Sequence, residues 1–184
     1  MSIMSLSVRG LSAAILVVLL FSCATNARGE DWTEKSGDIG VVAIPVAGYL
    51  ATFATGDAGG RDAFHKSFMS TFGVTCALKF FIDKPRPANN GHFAFPSAHA
   101  AHSFQGAAFI QRRYGWACGI PAYLGAAYVG WSRIEANKHD GYDVAAGAAI
   151  GILSSYYFTG RYKGLAVAPV AWPGTYCLAV TGRW

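Results

Sequence analysis

Six stretches of mostly apolar residues, separated by short polar segments, dominate the pattern along the chain. The first stretch, Leu11–Phe21, is interrupted only by Ser12. The other five are about 14 to 20 residues long, contain much alanine and glycine, and show little apolar–polar alternation. They are Gly40–Gly56, Ala63–Ile82, Ala98–Gln111, Tyr114–Ser132 and Val144–Gly160. Their length and composition favour helices over strands, so the pattern predicts an all-α bundle of about five to six apolar helices.

The first apolar stretch has the features of a secretory signal. It follows a single basic residue, Arg9, and leads into small residues that end at Ala27. A weak positive charge, a short apolar core and a small-residue exit are typical of a cleaved signal peptide. We therefore predict a signal peptide at 1–27, and a retained first membrane helix is the alternative.

The remainder, 28–184, is interpreted as one domain whose core is 40–160. The polar stretch Arg28–Asp38 is typical of a linker or surface segment. The end of the chain, Leu165–Trp184, mixes β-forming residues with prolines and a glycine. It is expected to form a short hairpin or an irregular covering segment.

Two locations are compatible with these helices. Crossing a bilayer takes about 20 apolar residues, and the five segments are at or just below that length. A compact helical domain in the periplasm of a bacterial cell envelope is the favoured prediction. A multi-pass inner-membrane protein is the alternative, in which the basic pairs Arg112–Arg113 and Arg161–Lys163 face the cytoplasm.

Composition and charge narrow the functional classes. Hydrophobic residues make up 53% of the chain and charged residues 14%, which excludes a disordered protein. The 22 glycines follow no three-residue period, which excludes collagen. The net charge of +5 is mild and the basic residues form few runs, so we expect no nucleic-acid partner. An anionic substrate fits the same charge better.

A first polar cluster follows the second of the five predicted helices. Pro85 and Pro87 are expected to end that helix near Ile82 and to hold the chain extended beyond it. Lys79 then leaves the last helical turn and Arg86 leaves the following loop. Two cations placed in this way can converge on one anion.

A second polar cluster opens the third of these helices. Ser97 has the position of an N-cap, which leaves the amides of the first turn without intrahelical acceptors. Such a helix end binds phosphate through its amides and its dipole. His99 lies in the same turn, where its imidazole can face a bound anion.

The third cluster precedes the last predicted helix. His139 and Asp143 are four residues apart, so a helical turn brings them into contact. A carboxylate on one ring nitrogen of an imidazole selects the tautomer and raises the basicity of the other nitrogen. Arg133 supplies a planar fork of donors that suits phosphoryl oxygens.

Together the clusters resemble the three-part signature of the type 2 phosphatidic acid phosphatases, a superfamily that includes bacterial acid phosphatases and vanadium haloperoxidases. The signature is carried by Lys79-x6-Arg86-Pro87, Pro96-Ser97-x-His99 and Ser132-Arg133-x5-His139-x3-Asp143. The resemblance covers roughly 40–160. It implies a mostly α-helical core and metal-independent hydrolysis of phosphate monoesters or lipid phosphates, of the phosphatidic acid or prenyl pyrophosphate type.

The resemblance also implies roles for individual residues. By position, His139 is similar to the nucleophile that forms a phosphohistidine, Asp143 to its orienting carboxylate, and His99 to the general acid. The positions similar to the phosphate-binding residues are Lys79, Arg86, Ser97, the amide of Ala98, and Arg133. No cofactor and no metal are implied, and vanadate is expected to bind as a phosphate mimic.

Two positions depart from the family pattern. Ala98 stands where the family normally has glycine, and a positive φ there would cost alanine about 1 kcal/mol. Asp140 follows His139, where a carboxylate is expected to favour the protonated imidazole.

Other interpretations remain open. A vanadate-dependent haloperoxidase and a non-catalytic envelope protein that binds phosphate are compatible with the same motifs. A zinc site built on His99 and His102 lacks supporting ligands nearby. The aromatics Phe93, Phe95 and Phe104 are expected to pack in the core, or to line a groove for an acyl or prenyl chain.

Overall fold

The computed structural model describes residues 32–87, 91–162, 166–172 and 175–181. The predicted signal peptide at 1–27 lies outside these residues. The helices are α1 (Trp32–Ala54), α2 (Ala58–Phe81), α3 (Ala98–Tyr114), α4 (Trp116–Glu135) and α5 (Gly141–Phe158). Strands β1 (Ala166–Trp172) and β2 (Thr175–Thr181) follow. The predicted all-α bundle with a short β tail is confirmed.

The helices begin and end where local chemistry favours it. Asp57 caps α2 by accepting a hydrogen bond from the amide of Gly60 at 2.8 Å. The same helix ends at Phe81, and Ile82 is already extended, as expected before the prolines. Ser97 is the N-cap of α3, as predicted.

The start of α1 corrects the linker alternative for Trp32–Asp38, whereas Arg28–Asp31 lie outside the described residues. Residues from Trp32 onward are helical, so α1 begins eight residues before the apolar stretch does. Several polar side chains of this first part contact polar groups of other elements. Glu34, for example, forms an ion pair with Lys138 at 3.0 Å. A tertiary contact of this kind has no signal in the local apolar pattern.

Helix α3 is the centre of the bundle and contacts all four other helices. Small residues make this possible, since most of its alanines are fully buried. The closest approach is to α5, where a Cβ added to Gly147 would lie 2.3 Å from the carbonyl oxygen of Ser97. Only glycine permits this approach, which fixes the start of α5 against the start of α3.

Five helix ends meet at one end of the bundle. The amide of Ser97, at the start of α3, donates to the carbonyl of Asp143 at the start of α5. Asp38 in α1 contacts both His99 in α3 and Arg133 at the end of α4. The end of α2 leads directly into this region.

The opposite end of the bundle is joined by a buried ion pair. Arg113, in the last turn of α3, donates to both carboxylate oxygens of Asp57 and to the carbonyl of Gly160. The end of α3, the start of α2 and the segment after α5 are therefore held together. The three sequence clusters all lie at the other end.

The two strands form an antiparallel hairpin. Its register pairs Ala166 with Thr181 and Trp172 with Thr175. Among the described residues, α1 is the one helix that combines the length and the apolar composition needed to cross a bilayer.

Candidate active site

His139 and Asp143 form the centre of the candidate site. His139 lies in the loop between α4 and α5 and is 5% exposed, while Asp143 lies in the first turn of α5 and is fully buried. Nδ1 of His139 is 3.7 Å from Oδ2 of Asp143. This is a close contact, although it is longer than a hydrogen bond. It leaves Nε2 as the ring nitrogen directed away from the carboxylate.

Asp143 is held by two further groups. Nζ of Lys84 donates to Oδ1 at 2.7 Å, and the amide of Asp140 donates to Oδ2 at 3.1 Å. The side chain of Asp140 in turn accepts from the amide of Asp143, which completes a capping box at the start of α5. The position of the carboxylate beside His139 is therefore set by the helix start and by a cation.

The charges around His139 keep its imidazole neutral. Burial, followed by the positive charge of Lys79 and with smaller contributions from His99 and Arg86, lowers the pKa of His139 to about 4. Asp143 acts in the opposite direction but does not offset these effects. These groups, from all three clusters, are thus close enough to affect one another.

The expectation that Asp140 favours a protonated His139 is wrong. Oδ2 of Asp140 accepts from Nζ of Lys84 at 2.5 Å, and Lys84 lowers the pKa of this carboxyl. The negative charge of Asp140 is therefore compensated by a neighbouring cation and by its capping role.

The first cluster provides two cations at the end of α2. Lys79 lies in the last turn, and its Nζ donates to the carbonyl of Phe93 at 2.6 Å. The amide of Arg86 donates to the carbonyl of Gly91 at 3.0 Å. Nε of Arg86 is buried and has no hydrogen-bond partner within the described part of the chain. A buried donor of this kind is suited to binding an anion.

The second cluster is built without strain. Ser97 is fully buried and accepts from the amide of Ala100 at 3.4 Å. Ala98 is the first residue of α3, and the described non-glycine residues with positive φ are Phe93 and Asn137. The cost expected for alanine at this position is therefore wrong. The amide of Ala98 occupies a helical position that has no intrahelical acceptor.

Arg133 is placed at the site, with its fork directed toward α1. The side chain is 2% exposed. Nη1 donates to Oδ1 of Asp38 at 2.7 Å, Nη2 to the carbonyl of Glu34 at 2.6 Å, and Nε to Oγ of Ser132 at 3.1 Å. Gly37 makes room for this arrangement, because a Cβ there would lie 2.4 Å from Nη2.

Two residues of the site were missed by sequence reasoning. Asp38 contacts His99 and Arg133 across 61 and 95 residues of chain. Lys84 binds carboxylates that follow it by 56 and 59 residues. Lys84 had one local signal, its position inside the first cluster. Asp38 had only its place as one of several carboxylates ahead of an apolar stretch.

Among the described residues, no group of three or more His, Cys, Asp or Glu side chains has an arrangement that could hold a metal ion. His102, the second histidine of the zinc alternative, is buried with its ring 4.7 Å from that of Phe68. Its position suits packing between α3 and α2.

Aromatic side chains lie exposed beside the site. Phe80 and Phe81 directly follow Lys79 and are 81% and 79% exposed, while Tyr142 precedes Asp143 and is 83% exposed. Phe93 is 50% exposed, so its expected place in the core is wrong. We call Phe80, Phe81, Phe93 and Tyr142 the aromatic rim.

The helical bundle and the three motifs at one of its ends together identify the family of this chain. The chain belongs to the PAP2 superfamily, whose family model matches residues 64–163. The matched range contains all the predicted site residues.

Individual relatives are more distant. Over 96 residues the chain is 35% identical to the lipid A 1-phosphatase of Porphyromonas gingivalis, an alignment that covers 50% of this chain and 21% of that protein. The chain thus spans about a fifth of this curated relative. The crystal structure of Aquifex aeolicus LpxE shares the fold, with a TM-score of 0.56, 23% identity, and coverage of 77% of this chain and 93% of that one. A PAP2-type phosphatidylglycerolphosphate phosphatase from Bacillus subtilis gives a TM-score of 0.44 at 18% identity, covering 80% of this chain and 92% of that one.

Proposed function

We propose that this chain is a metal-independent phosphatase that hydrolyses lipid phosphates through a phosphohistidine on His139. The observation that supports the proposal most strongly is the convergence of three distant clusters on one buried imidazole. His139 is held neutral by its surroundings and is backed by the carboxylate of Asp143. A neutral, oriented imidazole is the form that can act as a nucleophile.

In the first step, Nε2 of His139 attacks phosphorus, and the N–P bond forms as the P–O bond to the leaving alcohol breaks. His99 gives a proton to the departing oxygen, so the alcohol leaves neutral. The carboxylate of Asp143 stabilises the positive charge that develops on the imidazole. In the second step, water gives a proton to His99 and attacks phosphorus, the N–P bond breaks, and inorganic phosphate leaves.

Charge stabilisation is the main task in this reaction, since negative charge is spread over the equatorial oxygens of the phosphoryl group. The cations for it are Lys79, Arg86 and Arg133, and the amides at the start of α3 add a helix N-terminus. The unpartnered Nε of Arg86 supports a direct role in holding the phosphoryl oxygens.

A lipid substrate is supported by the surface around the site. The aromatic rim places large apolar side chains in solvent beside catalytic groups, where an acyl or prenyl chain can cover them. The name of the Porphyromonas gingivalis relative includes a lipid phosphate as its substrate. Phosphatidic acid, prenyl pyrophosphate and the 1-phosphate of lipid A are therefore the candidates to test.

Membrane association is supported by an exposed apolar stripe along the whole of α4. The stripe consists of Trp116, Ile120, Leu124, Tyr128 and Trp131, which are 42% to 68% exposed. A stripe of this kind suits contact with lipid. Together with α1, which has the length and apolar composition to cross a bilayer, it leads us to favour the multi-pass interpretation over a soluble periplasmic domain.

The basic residues suggest an orientation in the membrane. Arg112 and Arg113 end α3 and donate to the carbonyls of Thr159 and Gly160, at the end opposite the site. Arg161 follows in the same region. Basic residues favour the cytoplasmic side. Those at the site end are largely committed to the site, where Lys84, Arg133 and Lys138 pair with carboxylates, so we infer that the opposite end faces the cytoplasm and the candidate site the periplasm. Cleavage of a signal peptide after Ala27 stays a prediction.

The test is phosphate release by detergent-solubilised protein with phosphatidic acid, in the presence of EDTA. We expect turnover that vanadate inhibits and that His139→Ala abolishes. Unchanged turnover in His139→Ala would overturn the nucleophile assignment, and loss of activity with EDTA would overturn metal independence. A His92→Ala variant serves as the matched control, because His92 is exposed and forms an ion pair with Asp83, a carboxylate that has no role in the proposed site.

A further inference from the structure

Asp38 joins two motifs of the candidate site from a helix that carries none of them. A single oxygen, Oδ1, is 3.0 Å from Nε2 of His99 and 2.7 Å from Nη1 of Arg133. Its carboxylate is about one-fifth exposed, and His99 is about one-third exposed. The contact therefore lies at a partly solvent-accessible edge of the site.

The two histidines of the site each have a carboxylate near one ring nitrogen, at different distances. Oδ2 of Asp143 is 3.7 Å from Nδ1 of His139, whereas Oδ1 of Asp38 is within hydrogen-bond distance of Nε2 of His99, at 3.0 Å. A carboxylate at one nitrogen keeps a proton there and so determines which nitrogen remains for chemistry. In His139 that nitrogen is Nε2, and in His99 it is Nδ1.

We propose that Asp38 is a positioning residue that holds the proton of His99 on Nε2 and makes Nδ1 the atom that protonates the leaving group. The inference rests on the proposed phosphatase function and names a residue that acts through His99. Arg133 contributes from the other side, because its Nη1 binds the same oxygen and limits the movement of the carboxylate.

The proton balance follows from this assignment. Before the first step His99 carries protons on both nitrogens, and the Nδ1 proton passes to the leaving oxygen as its bond to phosphorus breaks. The ring is then neutral, with its remaining proton on Nε2 shared with Asp38. In the second step Nδ1 takes a proton from the attacking water, which restores the starting form.

The test compares two substrates that differ in their need for an acid. Phenyl phosphate has a poor leaving group, whereas 2,4-dinitrophenyl phosphate has a leaving group that departs without protonation. For Asp38→Asn we expect kcat/KM to fall at least about tenfold more for phenyl phosphate than for 2,4-dinitrophenyl phosphate, since general acid catalysis contributes about 10² to 10⁴. His99→Gln sets the upper limit of this difference, and Asp38→Glu is expected to restore part of it.

The ratio of the two kcat/KM values does not depend on the fraction of folded enzyme, so partial loss of stability leaves the result readable. Asp62→Asn is the matched control, because Asp62 is an exposed carboxylate that pairs with Lys66 on the surface of α2. This control is expected to keep the wild-type ratio. Equal losses on both substrates in Asp38→Asn would overturn the inference.

A second measurement uses the wild-type protein. Nitrogen-15 NMR of the His99 ring, assigned by its absence in His99→Gln, is expected to show the neutral ring protonated on Nε2. A proton on Nδ1 would overturn the inference. If the wild type hydrolyses neither substrate, the proposed phosphatase function itself fails, whereas activity that depends on His139 but not differentially on Asp38 removes only the inference.

Discussion

Removing the cation of Lys84 is the most informative single change at the base of the site. Its Nζ lies 2.7 Å from Oδ1 of Asp143 and 2.5 Å from Oδ2 of Asp140. Asp143 is fully buried, while the side chains of Lys84 and Asp140 are 31% and 39% exposed. Lys84→Met keeps most of the aliphatic length and removes the charge, so the buried carboxylate loses its cation.

The expected cost lies between two limits. Breaking a fully buried ion pair costs about 3–5 kcal/mol, and breaking an exposed one costs about 0–1 kcal/mol. Because one partner is buried and the other two are partly exposed, we expect Lys84→Met to lower the free energy of unfolding by about 2 kcal/mol. For a chain of this size that corresponds to a Tm lower by about 4–8 °C.

The same change should alter catalysis in a defined direction. The negative charge of Asp143 raises the pKa of His139, and without Lys84 less of that charge is compensated. The pKa of His139 is then higher, so the imidazole is already protonated, and unable to act as a nucleophile, at a higher pH than in the wild type. We expect the acid limb of kcat/KM in Lys84→Met to move to higher pH than in the wild type.

The assay is thermal unfolding in one detergent, followed by pH profiles of kcat/KM. Lys66→Met is the matched control, because Lys66 forms an ion pair of the same length, 2.7 Å, with Asp62, and both side chains are more than half exposed. The control is expected to change stability by no more than about 0.5 kcal/mol. Equal Tm values for the two variants, together with an unmoved acid limb, would refute the reasoning.

Three further outcomes are expected. Burial and the charge of Lys79 lower the pKa of His139 to about 4, so the acid limb of the wild-type pH profile of kcat/KM should lie near that pH. Lys79→Met should move this limb to higher pH, because a cation that lowers the pKa is lost. A wild-type limb near pH 6.5 would contradict this. Gly37→Val should lower kcat/KM by about tenfold or more by displacing Arg133, whereas Gly73→Ala, with open space around its added Cβ, should not. Arg133→Lys should lower phosphatase activity strongly, because a lysine cannot reproduce the three donor directions of the guanidinium. Wild-type activity in either Gly37→Val or Arg133→Lys would contradict the proposed role of the Arg133 guanidinium.

Much of the fold was predictable because its signals are local. The prolines after Ile82 end α2, Ser97 caps α3, and the four-residue spacing of His139 and Asp143 places both at the start of α5. Each of these effects acts within one or two turns of the chain. The apolar stretches therefore predicted all five described helices, and the motifs predicted which side chains lie at the site.

The remainder depends on contacts between distant residues. The first turns of α1 are polar, and nothing in their immediate neighbours indicates that Asp38 contacts Arg133. The ion pair between Asp140 and Lys84 is likewise invisible in the local sequence. It compensates the charge of Asp140, and so the expectation that Asp140 would favour a protonated His139 is wrong. Such pairs become visible only when the helix ends are brought together.

The covalent intermediate tests the central claim most directly. Enzyme mixed with ³²P-labelled phosphatidic acid and quenched in alkali within the first turnover should carry acid-labile phosphate on the peptide that contains His139. The label should be absent from His139→Ala and should persist longer in His99→Gln, which lacks the group that activates water. Wild-type turnover without label on this peptide, or equal label in His139→Ala, would contradict the account.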